Sequence, residues 1–112
     1  MPTETTFTVN PTGGDLKFKF VCGGDVEGSY KFRCFSATPP PLDFKGAVND
    51  GKTFTVPIAG KPTQVQVNAI VHPNDPSFPG TYHVEMNQEN GKTQTTDPTA
   101  WTEATVITLV PA

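Results

Sequence analysis

Leu16-Lys17-Phe18-Lys19-Phe20-Val21-Cys22 is apolar at every second position, with Leu16, Phe18, Phe20 and Cys22 on one side and Lys17, Lys19 and Val21 on the other. Successive side chains of a strand point to opposite faces, so this period predicts a strand buried on one side and wet on the other. The pattern continues in both directions. Upstream, Phe7 to Val9 predicts a first strand, closed by the turn-forming run Asn10-Pro11-Thr12-Gly13-Gly14. Downstream, after the loop Gly23 to Gly28, Tyr30, Phe32 and Cys34 alternate with Lys31, Arg33 and Phe35. Thr38-Pro39-Pro40-Pro41 lacks the amide donors of a ladder and predicts an extended surface connection.

The second half repeats this grammar. A short segment, Leu42 to Phe44, precedes Asn49-Asp50-Gly51, a tight-turn signal that opens Phe54, Val56 and Ile58. Val65, Val67, Ala69 and Val71 alternate with Gln64, Gln66 and Asn68, and His72-Pro73-Asn74-Asp75-Pro76 is expected to break that strand. Tyr82, Val84 and Met86 begin another, which Asn90-Gly91 folds into a hairpin with Lys92 to Thr96. The last run sets Ala104, Val106, Thr108 and Val110 against Thr105, Ile107 and Leu109. It is apolar on both faces and therefore expected to be covered on both sides or exposed to a partner. No window shows helical periodicity and no repeat is visible. Seven or eight short strands in a single domain spanning residues 1–112 predict an all-β Greek-key sandwich, with a small β-barrel as the alternative.

Composition narrows the function classes. The 112 residues suffice for one core, with hydrophobic content of 35% and charged content of 17%. A formal charge of −3 gives no general attraction to phosphate backbones, so no nucleic-acid partner is expected. No stretch approaches the ~18 apolar residues that span a bilayer, so no membrane partner is expected either. Met1 to Thr6 lacks the basic region and apolar run of a signal peptide. Two origins fit this: a chain made and used without secretion, or one whose signal was removed.

The middle of the chain resembles an immunoglobulin-like domain. Cys22 falls late in the second strand, where such domains often carry a core cysteine, and Pro79-Gly80-Thr81-Tyr82-His83-Val84 looks like the corner before their sixth strand. The resemblance implies that Tyr82 bonds back to a nearby backbone group and that Val84 enters the core. Val84 stands where the family has its partner cysteine. No tryptophan lies on the third strand, so Phe32, Cys34 or Phe35 must fill that part of the core. The likeness is to the broad class found on bacterial surfaces and phage particles.

The two cysteines are expected to stay apart. If the loop from Gly23 to Gly28 joined paired strands, Cys22 would sit near Ser29, with Cys34 on the order of 16 Å further along, beyond the ~7 Å that a disulfide can bridge. If the strands lie in opposite sheets, the cysteines fall toward opposite ends. Two buried thiols suit a reducing compartment.

Catalysis finds little support. A hydrolytic triad would need Ser29, Ser36 or Ser77 beside His72, in a proline-rich loop, or His83, on an outward register. Ser77 lies near Asp75 and His72 in sequence without a strained nucleophile turn. Cys22 and Cys34 lie on the apolar register, where thiols are usually inert. No cysteine spacing suits zinc, and Asp15, Asp25, Asp43, Asp50, Asp75 and Asp97 are scattered singly among turns. No catalytic residue, cofactor or metal is therefore expected. The candidate partner contacts are Lys17, Lys19, Lys31, Arg33, Phe78 and Trp101. The four cations are half of the chain's basic residues, and they would line one outer face if their strands paired, with Glu85, Glu27 or a neighbouring molecule as counter-charge. Trp101, in the loop from Asp97, and Phe78, at a loop tip, are each either a lid on the core or an exposed anchor.

A small sandwich without paired cysteines suits a component of a larger assembly. The expected role is a non-enzymatic structural protein: a phage virion decoration or accessory particle protein on a capsid or tail surface, made in the host cytoplasm, with homo-oligomer formation as a further expectation. One alternative is a carbohydrate- or protein-binding module of a bacterial surface protein, extracellular or at the cell surface. Another rests on Asn10-Pro11-Thr12-Gly13-Gly14, which resembles a loop of chagasin-type inhibitors of papain-like proteases.

Overall fold

In a computed structural model, which describes residues 3–22, 26–36, 41–57, 62–73, 80–88, 93–100 and 103–111, alternation becomes two stacked layers. In chain order the strands are β1 (Thr3–Val9), β2 (Leu16–Cys22), β3 (Val26–Ser36), β4 (Leu42–Ala47) and β5 (Thr53–Val56). They continue with β6 (Pro62–Pro73), β7 (Thr81–Gln88), β8 (Gln94–Thr95), β9 (Thr99–Ala100) and β10 (Thr105–Pro111). One five-stranded sheet runs β1-β10-β6-β3-β4. The other runs β5-β2-β7-β8, with β9 also pairing β7. The layers form a sandwich and do not close into a barrel. β8 falls within the hairpin partner expected over Lys92 to Thr96, whereas the two-residue β9 carries too little sequence to show alternation.

β2 and β3 lie in opposite sheets, so the loop between them crosses from one layer to the other. The inward set of β2, Leu16, Phe18, Phe20 and Cys22, is buried, while Lys17 and Lys19 are exposed. Tyr30, Phe32 and Cys34 from β3 meet that set across the interior, whereas Phe35 is only half-buried on the opposite register. Phe20 is stacked between Tyr30 at 4.5 Å and Tyr82 at 5.0 Å, and Phe32 packs on Phe54 at 5.3 Å. Such aromatic pairs contribute about 0.5–1.5 kcal/mol each beyond the area they bury. On β10, Thr105, Ile107 and Leu109 are buried in this core, and Val106 and Val110 are half-buried on the outer side.

The two cysteines are buried thiols with no disulfide, as expected. Cys22 ends β2 beside Tyr82, whereas Cys34 lies far along β3, opposite Leu42 and Val65. The eight residues from Val26 to Cys34 carry it roughly 26 Å away.

Several boundaries differ from the sequence expectation: β1 begins at Thr3, ahead of Phe7, β3 begins at Val26, inside the expected loop, and β4 runs on to Ala47. His72 belongs to β6, opposite Glu27, and not to a loop, because β3 continues long enough to pair with it. Thr99 and Ala100, expected in a loop, form β9 against Tyr82 and Thr81. The Asn49-Asp50-Gly51 turn is present, with positive φ at Asn49 and Gly51. Asp50 Oδ2 accepts the Ala47 N–H at 3.1 Å, and Oδ1 accepts the Lys52 N–H at 2.9 Å and the buried Tyr30 hydroxyl at 3.0 Å. Gly46 makes this approach feasible, since a Cβ there would sit 2.5 Å from Asp50 Oδ2.

Candidate interaction faces and edges

The four cations proposed as contacts do not share one face. Lys17 and Lys19 stand on the outside of the β2 sheet, and Lys31 and Arg33 on the outside of the β3 sheet. The shared face required β2 and β3 to pair, and the crossover between layers separates them. On the first face, Lys19 stands opposite Glu85, one of the expected counter-charges, and Lys17 stands opposite Asn87 and Thr55. Glu85 also meets His83 Nε2 at 3.3 Å. Glu27, the other expected counter-charge, stands opposite His72.

On the second face, Arg33 donates from Nε to Asp43 Oδ1 at 2.8 Å and from Nη2 to Asp43 Oδ2 at 3.0 Å. That fork fixes the geometry of an exposed pair and holds the Asp43 carboxyl below its ordinary range. Lys31 stands directly opposite Lys45, an unfavourable cross-strand match. Together with Gln66 and Asn68 of β6, these residues line a shallow, open concavity of about 500 Å³. Asp43 and Lys45 escaped the sequence reading because their cross-strand partners depend on the β3–β4 register.

The edges of the sandwich complete the picture. At the β1 edge, Gln94 Oε1 accepts the Thr8 N–H at 2.9 Å and its Nε2 donates to the Thr8 carbonyl at 2.7 Å. Gln88 is buried and does the same for Asn10, at 2.9 and 2.8 Å, and also donates to the Gly14 carbonyl at 3.0 Å. Two carboxamides from the β2 sheet thus stand in for a neighbouring strand. Gln88 was visible as a polar residue on the inward register of Tyr82, Val84 and Met86. The opposite seam is aromatic, with Phe44 of β4 packed on Phe54 of β5 at 5.1 Å.

Tyr82 is buried, and its hydroxyl donates to the Glu103 carbonyl at 2.7 Å while accepting from Thr105 Oγ1 at 2.9 Å. The resemblance implied a bond back to backbone close by in the chain; the hydroxyl instead reaches Glu103, 21 residues downstream and just ahead of β10. Val84 is fully buried.

Chemistry suited to catalysis is dispersed. Ser29 and His72 lie on the outside of one sheet and His83 on the outside of the other, while Ser77 and Asp75 fall outside the described residues. Burial pushes the Cys22 thiol up and the Cys34 thiol up to about 11, which keeps both protonated and poorly nucleophilic at neutral pH. Among the described residues no three potential metal ligands cluster. Asn10 Oδ1 accepts the Thr12 N–H at 3.1 Å, so the inhibitor-like loop begins as an Asx turn tied down by Gln88. Phe78 and Trp101 lie outside the described residues. Compared with family models, curated proteins and solved structures, the chain matches none.

Proposed function

We propose that this chain is a non-enzymatic structural protein that docks on a larger protein assembly, as a virion decoration or accessory particle protein on a capsid or tail surface. One observation carries the reading. Hydrogen-bonding side chains in the interior and at the β1 seam, among them Gln88, Gln94, Tyr30, Tyr82 and Thr105, are bonded within the fold, and other polar groups of the described residues spread over the outer faces and the β4 edge. Such a molecule offers surface for contact rather than a pocket for chemistry.

An immunoglobulin-like kinship is part of this proposal. It is supported by the placement of β2 and β3 in opposite sheets and by the parallel pairing of β1 with β10. The departure is at β7, which returns beside β2, where the family places its sixth and seventh strands with the third. The test is recovery of the chain from purified virus particles in a copy number matching a symmetry element of the particle. Recovery only as a particle-free monomer would sink the proposal.

A second reading, a carbohydrate- or protein-binding module, is favoured by the carboxamides of Gln66 and Asn68 beside Lys31 and Lys45 in the concavity. A glycan array separates the two. Binding that is lost in Gln66→Ala supports the module, and an empty array removes its carbohydrate form.

A further inference from the structure

The open edge has a self-complementary sequence. β4 ends its sheet, with β3 on one side and no strand among the described residues on the other. The Val48 N–H bonds the Gly28 carbonyl of β3 at 3.0 Å. Backbone groups alternate sides along a strand, so the amides of Gly46 and Phe44 also face β3, and those of Lys45 and Asp43 face outward. Asp50 takes up the next outward residue, Ala47, through both the Ala47 N–H and carbonyl. The unsatisfied edge therefore centres on Asp43 and Lys45.

We propose that this edge pairs with the same edge of a second copy of the chain, antiparallel about Phe44, so that the two β3 sheets become continuous. In that register Asp43 of one copy faces Lys45 of the other, twice by symmetry, as hydrogen-bonded pairs. Lys45 faces the like charge of Lys31 on its own sheet, and the carboxylate of the second copy supplies what it lacks. Leu42, 47% exposed, falls opposite Gly46 on the register that Phe44 shares. Lysine on a short edge strand is also a known device against edge pairing, and a monomer is what that role would produce. The interface is small, so its Kd is expected on the order of 100 µM.

Sedimentation equilibrium of the whole chain across a range around that concentration tests this. The wild-type protein should dimerise, and D43K and K45D alone should each lose at least about tenfold in affinity. An equimolar mixture of D43K with K45D should form a heterodimer, because each edge then meets its opposite charge. Both positions are exposed, and thermal unfolding checks that each variant folds. Independently of any variant, the amides of Asp43 and Lys45 should exchange more slowly as wild-type concentration rises. A wild-type monomer throughout, a single variant that dimerises unchanged, a mixture that stays monomeric, or concentration-independent exchange at these amides would overturn the proposal. Docking on a particle does not depend on it.

Discussion

The two lateral seams of the sandwich solve the same problem by different means. At the β1 seam, Gln94 and Gln88 bond the backbone of Thr8 and Asn10, so the C-terminal part of this edge is occupied. At the β4 seam, Phe44 and Phe54 shield the core, and on β4 Asp50 takes up the backbone of Ala47. Hydrophobic contact covers an interior but satisfies no N–H or C=O group, whereas a carboxamide supplies one donor and one acceptor spaced like a peptide. One seam is thereby partly taken up by side chains, and the other is left more open to association.

Disturbing the β1 seam should produce the largest effect. Gln88→Ala removes three hydrogen bonds, to the Asn10 N–H, the Asn10 carbonyl and the Gly14 carbonyl, and should cost about 3 kcal/mol by denaturant unfolding. A loss well under 1 kcal/mol would mean that the carboxamide does not hold the seam. Next comes Gly46→Ala at the open seam. Its Cβ displaces the Asp50 carboxylate from Ala47, at an expected cost of about 2 kcal/mol, and should speed exchange of the Ala47 amide. Gln94→Ala should cost about 1 kcal/mol and make the Thr8 amide exchange as fast as those of Asp43 and Lys45, so that the two seams become alike.

The Asp50 hold on Tyr30 also carries a pH signature. Burial, with the hydrogen bond to Asp50 and its charge, raises the folded-state pKa of Tyr30 above the ordinary tyrosine value near 10. The neutral hydroxyl is favoured in the folded state, so this stability is fully present below about pH 10 and is lost as pH rises above it. Tyr82 shifts in the same direction by burial. Stability should therefore fall in alkali, and Tyr30→Phe should remove part of that slope while Tyr82 and the two buried thiols keep the rest. The smallest effect is expected at Arg33→Gln. Its pair with Asp43 is exposed, so unfolding should hardly change, but an NMR titration should show the Asp43 carboxyl rising toward its usual range.

Much of this comparison could not be read along the chain. Gln88 was marked by a polar side chain on an apolar register, yet its partners lie 74 and 78 residues away. Gln94 sits in the expected hairpin strand, but its bonds to Thr8 span 86 residues. Asp43 looked like a turn residue until the β3–β4 register set it against Arg33. The cationic face was assembled from β2 and β3 on the premise that they pair, and the layer crossing undid it.

What the sequence determined alone is which side of each strand is buried, because the pleat turns every second side chain the same way regardless of its neighbours. Leu16, Phe18 and Phe20, then Tyr30 and Phe32, then Val65 and Val67 all face inward as the alternation requires. Only the tertiary structure decided which sheet each strand joined, and hence which outer side chains share a face and which edges close. Those outcomes depend on register and on packing between strands distant in the chain, where the period of two is equally satisfied by many arrangements.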